Sequence, residues 1–229
     1  MYNKQERNIT NKHYWQGLSC QYSNKLQGEK DGIRVYSNQM PGCGAAVSTK
    51  DTECEYCGKP VMIKNFNSIA SMSMPELNKY VGSYKREIDR NGDNSAINKS
   101  IAMCYLKLKQ YKQAEDYFQK AMLDDFDDSE NYFYAAVCLL EGKKAFLSNK
   151  STITQIETFI NDAISIESKG VYYYFMAYIK FDYYKRKSFR TKPDYIECLN
   201  QAIRNNLSRM DAEQMFKIIG VTMPHELAF

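Results

Sequence analysis

A chain of 229 residues is long enough for one large domain or two modest ones with a real core. Hydrophobic and charged fractions of 44% and 25% exclude wholesale disorder, and a net charge of +4 is too small to mark a nucleic-acid binder by itself. Seven cysteines, an odd number with three clustered and three alone in helical patterns, exclude a disulfide framework and suit a reducing compartment.

The first residues, MYNKQERNITNKHYW, lack the apolar core of a secretory signal. Trp15, Leu18, Tyr22 and Leu26 fit a weak helical stripe. After Asp31-Gly32, Ile33 and Val35 alternate with polar residues and predict a short strand. Residues 39–61, QMPGCGAAVSTKDTECEYCGKPV, carry the sharpest chemical signal. Cys54 and Cys57 form a C-x-x-C knuckle closed by Gly58, a spacing that lets two thiolates grip one tetrahedral ion from a tight turn. Pro41, Gly42, Cys43 and Gly44 repeat that knuckle, with Met40 where its first cysteine belongs. Ten residues between Cys43 and Cys54 suffice for a hairpin that brings both knuckles to one metal.

This stretch resembles a zinc ribbon with one ligand replaced. The resemblance implies a structural Zn²⁺ held by Cys43, Cys54 and Cys57, with a fourth ligand from elsewhere, Cys20 ahead of His13. A thioether is a poor zinc ligand, so Met40 is not expected to serve. The expected division is residues 1–64 as the N-terminal segment with the ribbon, 65–74 as a linker rich in Asn, Ser and Met, and 75–229 as a helical domain.

From Ser73 onward the periodicity is helical. Ser73 and Glu76 make a capping box, with Pro75 in the first turn and Asn91-Gly92 as the stop. The first helix turns Leu77, Tyr80, Val81, Tyr84 and Ile88 inward. A second starts near Ser95 with Ile97, Ile101, Tyr105 and Leu108 inward, and a third near Tyr111 with Ala114, Phe118, Ala121 and Met122 inward. Later helices are predicted near Ser129, Thr152, Gly170, Pro193 and Ser208, with Thr191 and Ser208 as caps. The most apolar run, Val171 to Ile179, is far shorter than a membrane span needs, so a cytoplasmic protein with no membrane association is expected.

Residues 95–128 span 34 positions and are similar to a tetratricopeptide repeat: Ile101, Ala102 and Tyr105 match its first helix, and Ala114, Phe118 and Ala121 its second. The usual proline after the second helix is replaced by Phe126. Two looser units follow, one carrying Tyr132, Ala135, Ala136, Leu139 and then Ile156, Ile160, Ala163 beyond an insertion at 141–150, the other Tyr174, Ala177, Tyr195, Leu199 and Ala202. The resemblance implies an α-solenoid of helix pairs capped by its first and last helices, mainly α with a small β ribbon in front.

No Gly-rich phosphate loop is present, and His13 and His225 lie at opposite ends of the chain. Asp124, Asp125, Asp127 and Asp128 lack the ligand spacing of a calcium loop. Cys104, Cys138 and Cys198 read as buried, inert thiols. The expectation is therefore a non-enzymatic adaptor that binds a protein or peptide on its helical surface, with no small-molecule substrate. The alternative is nucleic-acid association through the stretch 180–192, where Lys180, Lys185, Arg186, Lys187, Arg190 and Lys192 interleave with Tyr183, Tyr184 and Phe189.

Overall fold

A computed structural model describes residues 37–41, 43–48 and 51–228. They belong to one compact unit, residues 35–229. A two-stranded antiparallel hairpin, β1 (Ser37–Gln39) and β2 (Ala46–Ser48), pairs Ser37 with Ser48 and Gln39 with Ala46. The strand expected at Ile33 and Val35, and the stripe from Trp15 to Leu26, lie outside the described residues. Eight α-helices follow: α1 (Met74–Asn91), α2 (Ser95–Lys107), α3 (Tyr111–Asp124), α4 (Ser129–Cys138), α5 (Lys150–Ile166), α6 (Gly170–Ile179), α7 (Tyr195–Arg204) and α8 (Arg209–Ile219).

Local chemistry sets these boundaries. Ser73 N–H donates to Glu76 Oε2 at 3.0 Å, Asn94 Oδ1 accepts from Ala96 and Ile97, and Ser208 Oγ accepts from Asp211 N–H. Gly92 and Gly220, with φ of 86° and 80°, end α1 and α8. One predicted cap is displaced. Thr191 Oγ1 accepts from Lys180 Nζ, and Asp194 caps α7 in a reciprocal pair with Glu197.

Each helix from α1 to α6 packs against the next. Most of the predicted inward residues are buried, among them Tyr80, Ile101, Phe118, Ile156, Ile160 and Tyr174, while Ile88, Leu108, Leu139, Tyr195 and Leu199 are half-buried. Ala102, Ala114 and Ala121 are fully buried, and alanine there lets the α2 and α3 backbones approach. Aromatic side chains fill the spaces between pairs: Phe118 stacks on Tyr134, and Phe133 meets Tyr172 and Phe175 at centroid distances of 5.0 and 5.6 Å. Tyrosine suits these positions because its hydroxyl reaches a loop. Tyr174 donates to Leu227 O, and Tyr178 accepts from Ala145 N–H in the insertion between α4 and α5.

Two segments depart from expectation. Residues 65–74, predicted as a linker, bury Phe66, Ile69 and Met72, and Lys107 Nζ donates to Ala70 O. The last helix does not extend the stack as an end cap. It lies against α6 and α4, with Phe216 edge-on to Tyr174 and Tyr178, and Gln214 reaches Asn67 at the front of the chain. The cause is its apolar face: Ala212, Met215, Phe216 and Ile219 recur at helical spacing and are buried.

Asp162 on α5 is partly buried with no ion pair among the described residues, and burial pushes its carboxyl up to about 6. The folded-state value lies above that of the unfolded chain. The group is protonated in both states below about pH 4 and ionised in both above about pH 6, so its cost appears as pH rises through that window. Asp162→Asn is therefore expected to stabilise the protein by roughly 1–2 kcal/mol near neutral pH and to change it little at about pH 4. Denaturant titration at both pH values checks this; an equal gain at both would assign the effect to something other than ionisation.

Candidate metal centre

Two turns of the same design face each other at the end of the hairpin. In the first, Met40 N–H donates to Ala45 O at 2.8 Å and Gly44 N–H donates to Met40 O at 2.9 Å. In the second, Cys54 N–H donates to Lys59 O and Gly58 N–H donates to Cys54 O, both at 2.8 Å. The spacing of donors and acceptors is identical, and the fifth residue of each turn is a glycine with positive φ, 75° at Gly44 and 63° at Gly58. Only glycine takes that conformation without strain. Met40 thus holds the backbone place of a knuckle's first cysteine. Its side chain is buried in the core, where an apolar thioether is at ease.

The turns bring Cys43, Cys54 and Cys57 together, with all three sulfurs within 4.8 Å of one another and Cys43 Sγ 3.7 Å from Cys54 Sγ. All three are free thiols. Cys54 is buried, Cys57 half-buried and Cys43 exposed. Burial works to raise the Cys54 thiol, but the backbone N–H groups of Cys57 and Tyr56, with the neighbouring thiols, outweigh it and hold Cys54 below its ordinary value. At Cys57 the backbone N–H of Lys59 works to lower the thiol; burial and the crowding of Cys43 and Cys54 prevail and raise it. Three sulfur donors this close can hold a metal ion. Among the described residues no further His, Cys, Asp or Glu joins them. Cys20 and His13, expected as candidate fourth ligands, lie outside the described residues.

The knot is fastened to the helices. Tyr80 Oη on α1 donates to Pro60 O at 3.0 Å, Tyr84 Oη donates to Val61 O at 2.8 Å, and Ser100 Oγ on α2 accepts from Ile63 N–H at 3.1 Å. Lys59 pairs with Glu76 in the first turn of α1. A small cavity of about 170 Å³ beside Cys43 and Cys57 is lined by Lys59, Glu76, Lys79 and Tyr80. Lys59 and Lys79 place positive charge beside the sulfurs, and that of Lys59 is shared with Glu76. The parts of Lys79 and Tyr80 were not readable from spacing, because α1 brings them from more than 20 residues beyond Cys57.

A comparison with protein-family models finds no match, and a comparison with curated proteins finds none either.

The isolated cysteines are chemically quiet. Burial pushes Cys104 up to about 12 and Cys198 up to about 11, and Cys138 stands well above the ordinary thiol value for the same reason. The basic stretch 180–192 divides. Helix α6 widens into a π-type turn over Lys180–Lys185 that buries Lys180, Asp182, Tyr183 and Tyr184. Lys180 Nζ binds Glu157 Oε1 at 2.6 Å, Asp182 accepts from Arg186 at 2.6 Å and from Phe146 N–H at 2.8 Å, and Lys187 lies over Tyr183. Of the aromatics in this stretch only Phe189 stays exposed, which leaves little for bases to stack on. No helix among the described residues is long and apolar enough to cross a membrane.

Proposed function

We propose that this protein is a non-catalytic interaction module, in which a structural Zn²⁺ closes the cysteine knot and the helical surface holds a protein or peptide partner. Support for zinc comes from the sulfur spacing. A tetrahedral ion with Zn–S bonds of about 2.3 Å sets its sulfurs roughly 3.8 Å apart, close to the 3.7 Å between Cys43 and Cys54. Thiolate-rich sites of this kind serve structure rather than catalysis.

The observation that carries the reading is how the knot is used. Its loops are hydrogen-bonded to Tyr80, Tyr84 and Ser100, so an ion there braces the first helices of the array instead of facing a substrate. Because α8 covers α4 and α6, the partner surface is assigned to large apolar side chains left outside. Ile203 and Met210, 56% and 72% exposed at the end of α7 and the start of α8, are the leading pair.

Affinity purification of the full chain tests this reading. A stoichiometric protein partner is expected with the wild type and is expected to be lost with Ile203→Asp or Met210→Asp while helicity is unchanged. A chain that recovers no partner, or one whose partner is retained by both variants, defeats it.

A further inference from the structure

The two ends of the helical array differ in charge, and both expose apolar side chains. Helices α4 and α6 begin at one end, where Ser129 Oγ and Tyr172 Oη lie 2.9 Å apart, and finish at the other, where Ala145 N–H donates to Tyr178 Oη. Residues 123–128 immediately precede α4, and residues 185–196 run from the end of the π-type turn after α6 into the first turn of α7. At 1.5 Å per residue, the helix between them holds the two segments roughly 20 Å apart. They sit at opposite ends of one molecule.

The far end carries a cleft of about 750 Å³ lined by Lys185, Phe189, Arg190, Lys192 and Ile196, with one acid, the α7 cap Asp194. Lys192 is paired with Glu197, whereas Lys185 and Arg190 have no acidic partner among the described residues. Phe189 and Ile196 are 54% and 51% exposed. The near end is its complement. Leu123 and Phe126, 64% and 63% exposed, stand among Asp124, Asp125, Asp127 and Asp128. Of these aspartates only Asp128 is in an ion pair among the described residues, with Lys99.

We propose that the basic cleft of one copy binds the acidic 123–128 segment of a second copy, head to tail. Opposite charges set the orientation, and two pairs of exposed apolar side chains supply burial. A second copy is the occupant because this chain carries both halves of the contact and cannot close them on itself. The two patches differ, so the contact is heterologous and propagates into rings or open chains. It is independent of the Ile203–Met210 surface proposed above.

Sedimentation velocity of the full chain at low and high salt is the test, with circular dichroism to confirm unchanged folding. The wild type is expected to associate with rising concentration at low salt and to dissociate as salt rises. Lys185→Glu with Arg190→Glu, and separately Asp125→Lys with Asp127→Lys, should each weaken association roughly tenfold or more. Mixing the two variants should restore it, because each then meets its opposite charge. A wild type that stays monomeric at low salt overturns the proposal, as does association that survives both charge reversals. Single-stranded oligonucleotide bound at Lys185 and Arg190, with no self-association, would reassign the cleft and overturn it too.

Discussion

Cys54→Ala is expected to strip the metal from the protein and to cost at least about 5 kcal/mol of stability, because ligand binding free energy at a thiolate knot is largely folding free energy. Cys54 is the most buried of the three thiols and its surroundings hold it below its ordinary value, so it is the ligand with least freedom to be replaced. The damage should spread. Tyr80 and Tyr84 bind carbonyls just beyond the second knuckle, and loosening that turn leaves two buried hydroxyls to find new acceptors. Metal content and chemical denaturation of wild type and variant, each with and without a chelator, measure both parts. The expected wild type holds one zinc per chain and loses stability to the chelator; the variant holds none and is indifferent to it. Cys20→Ala, run beside it, identifies or dismisses the fourth ligand. Met40→Cys gives an internal check, since Met40 has the same backbone hydrogen bonds as Cys54, and a cysteine there should tighten zinc binding. A wild type free of metal and as stable as Cys54→Ala would remove the zinc reading.

What the sequence makes legible follows from how local the chemistry is. Ser73 with Glu76, Asn91-Gly92 and Ser208 with Asp211 mark helix ends because each cap is made within four residues, and those ends stand within a residue or two of expectation. The cysteine cluster is legible for a related reason: each knuckle is a short turn whose glycine declares its backbone. Thr191 misleads because Asp194 and Glu197 offer a stronger reciprocal cap, and the hydroxyl is drawn to buried Lys180 instead. Long-range partnerships stay hidden. Nothing local announces that Lys180 meets Glu157 across 23 positions, or that Gln214 meets Asn67 across 147. The turn of α8 onto α4 and α6 belongs to the same class. Its apolar face is readable, but which surface receives it depends on the shape left by the seven other helices. The basic stretch 180–192 likewise looks uniform in sequence, and only the π-type turn decides which of its side chains are taken inside.

Gly170→Ala is expected to destabilise the protein by about 2–4 kcal/mol, against the helix propensity that favours alanine by roughly 1 kcal/mol. Gly170 opens α6 directly beneath the last turn of α7. Its N–H donates to Asn205 O at 3.1 Å. A methyl group there would stand 2.6 Å from Leu207 N and 2.8 Å from the carbonyl oxygens of Ala202 and Asn205. All three are backbone atoms, and Leu207 N–H is itself bonded to Ala202 O, so none can give way without opening the end of α7. Relief by separation of the two helices would expose Ala202 and Cys198, which are buried between them. Gly82→Ala is the matched control. Gly82 lies mid-helix in α1, and its added methyl group meets only the guanidinium end of Arg86 at 3.6 Å. That exchange should stabilise by up to about 1 kcal/mol, since the entropy advantage of alanine is unopposed. Thermal or denaturant unfolding of both variants separates the effects. A Gly170→Ala protein as stable as wild type would mean that α6 and α7 do not approach this closely, and the packing of the last helix pair would have to be redrawn.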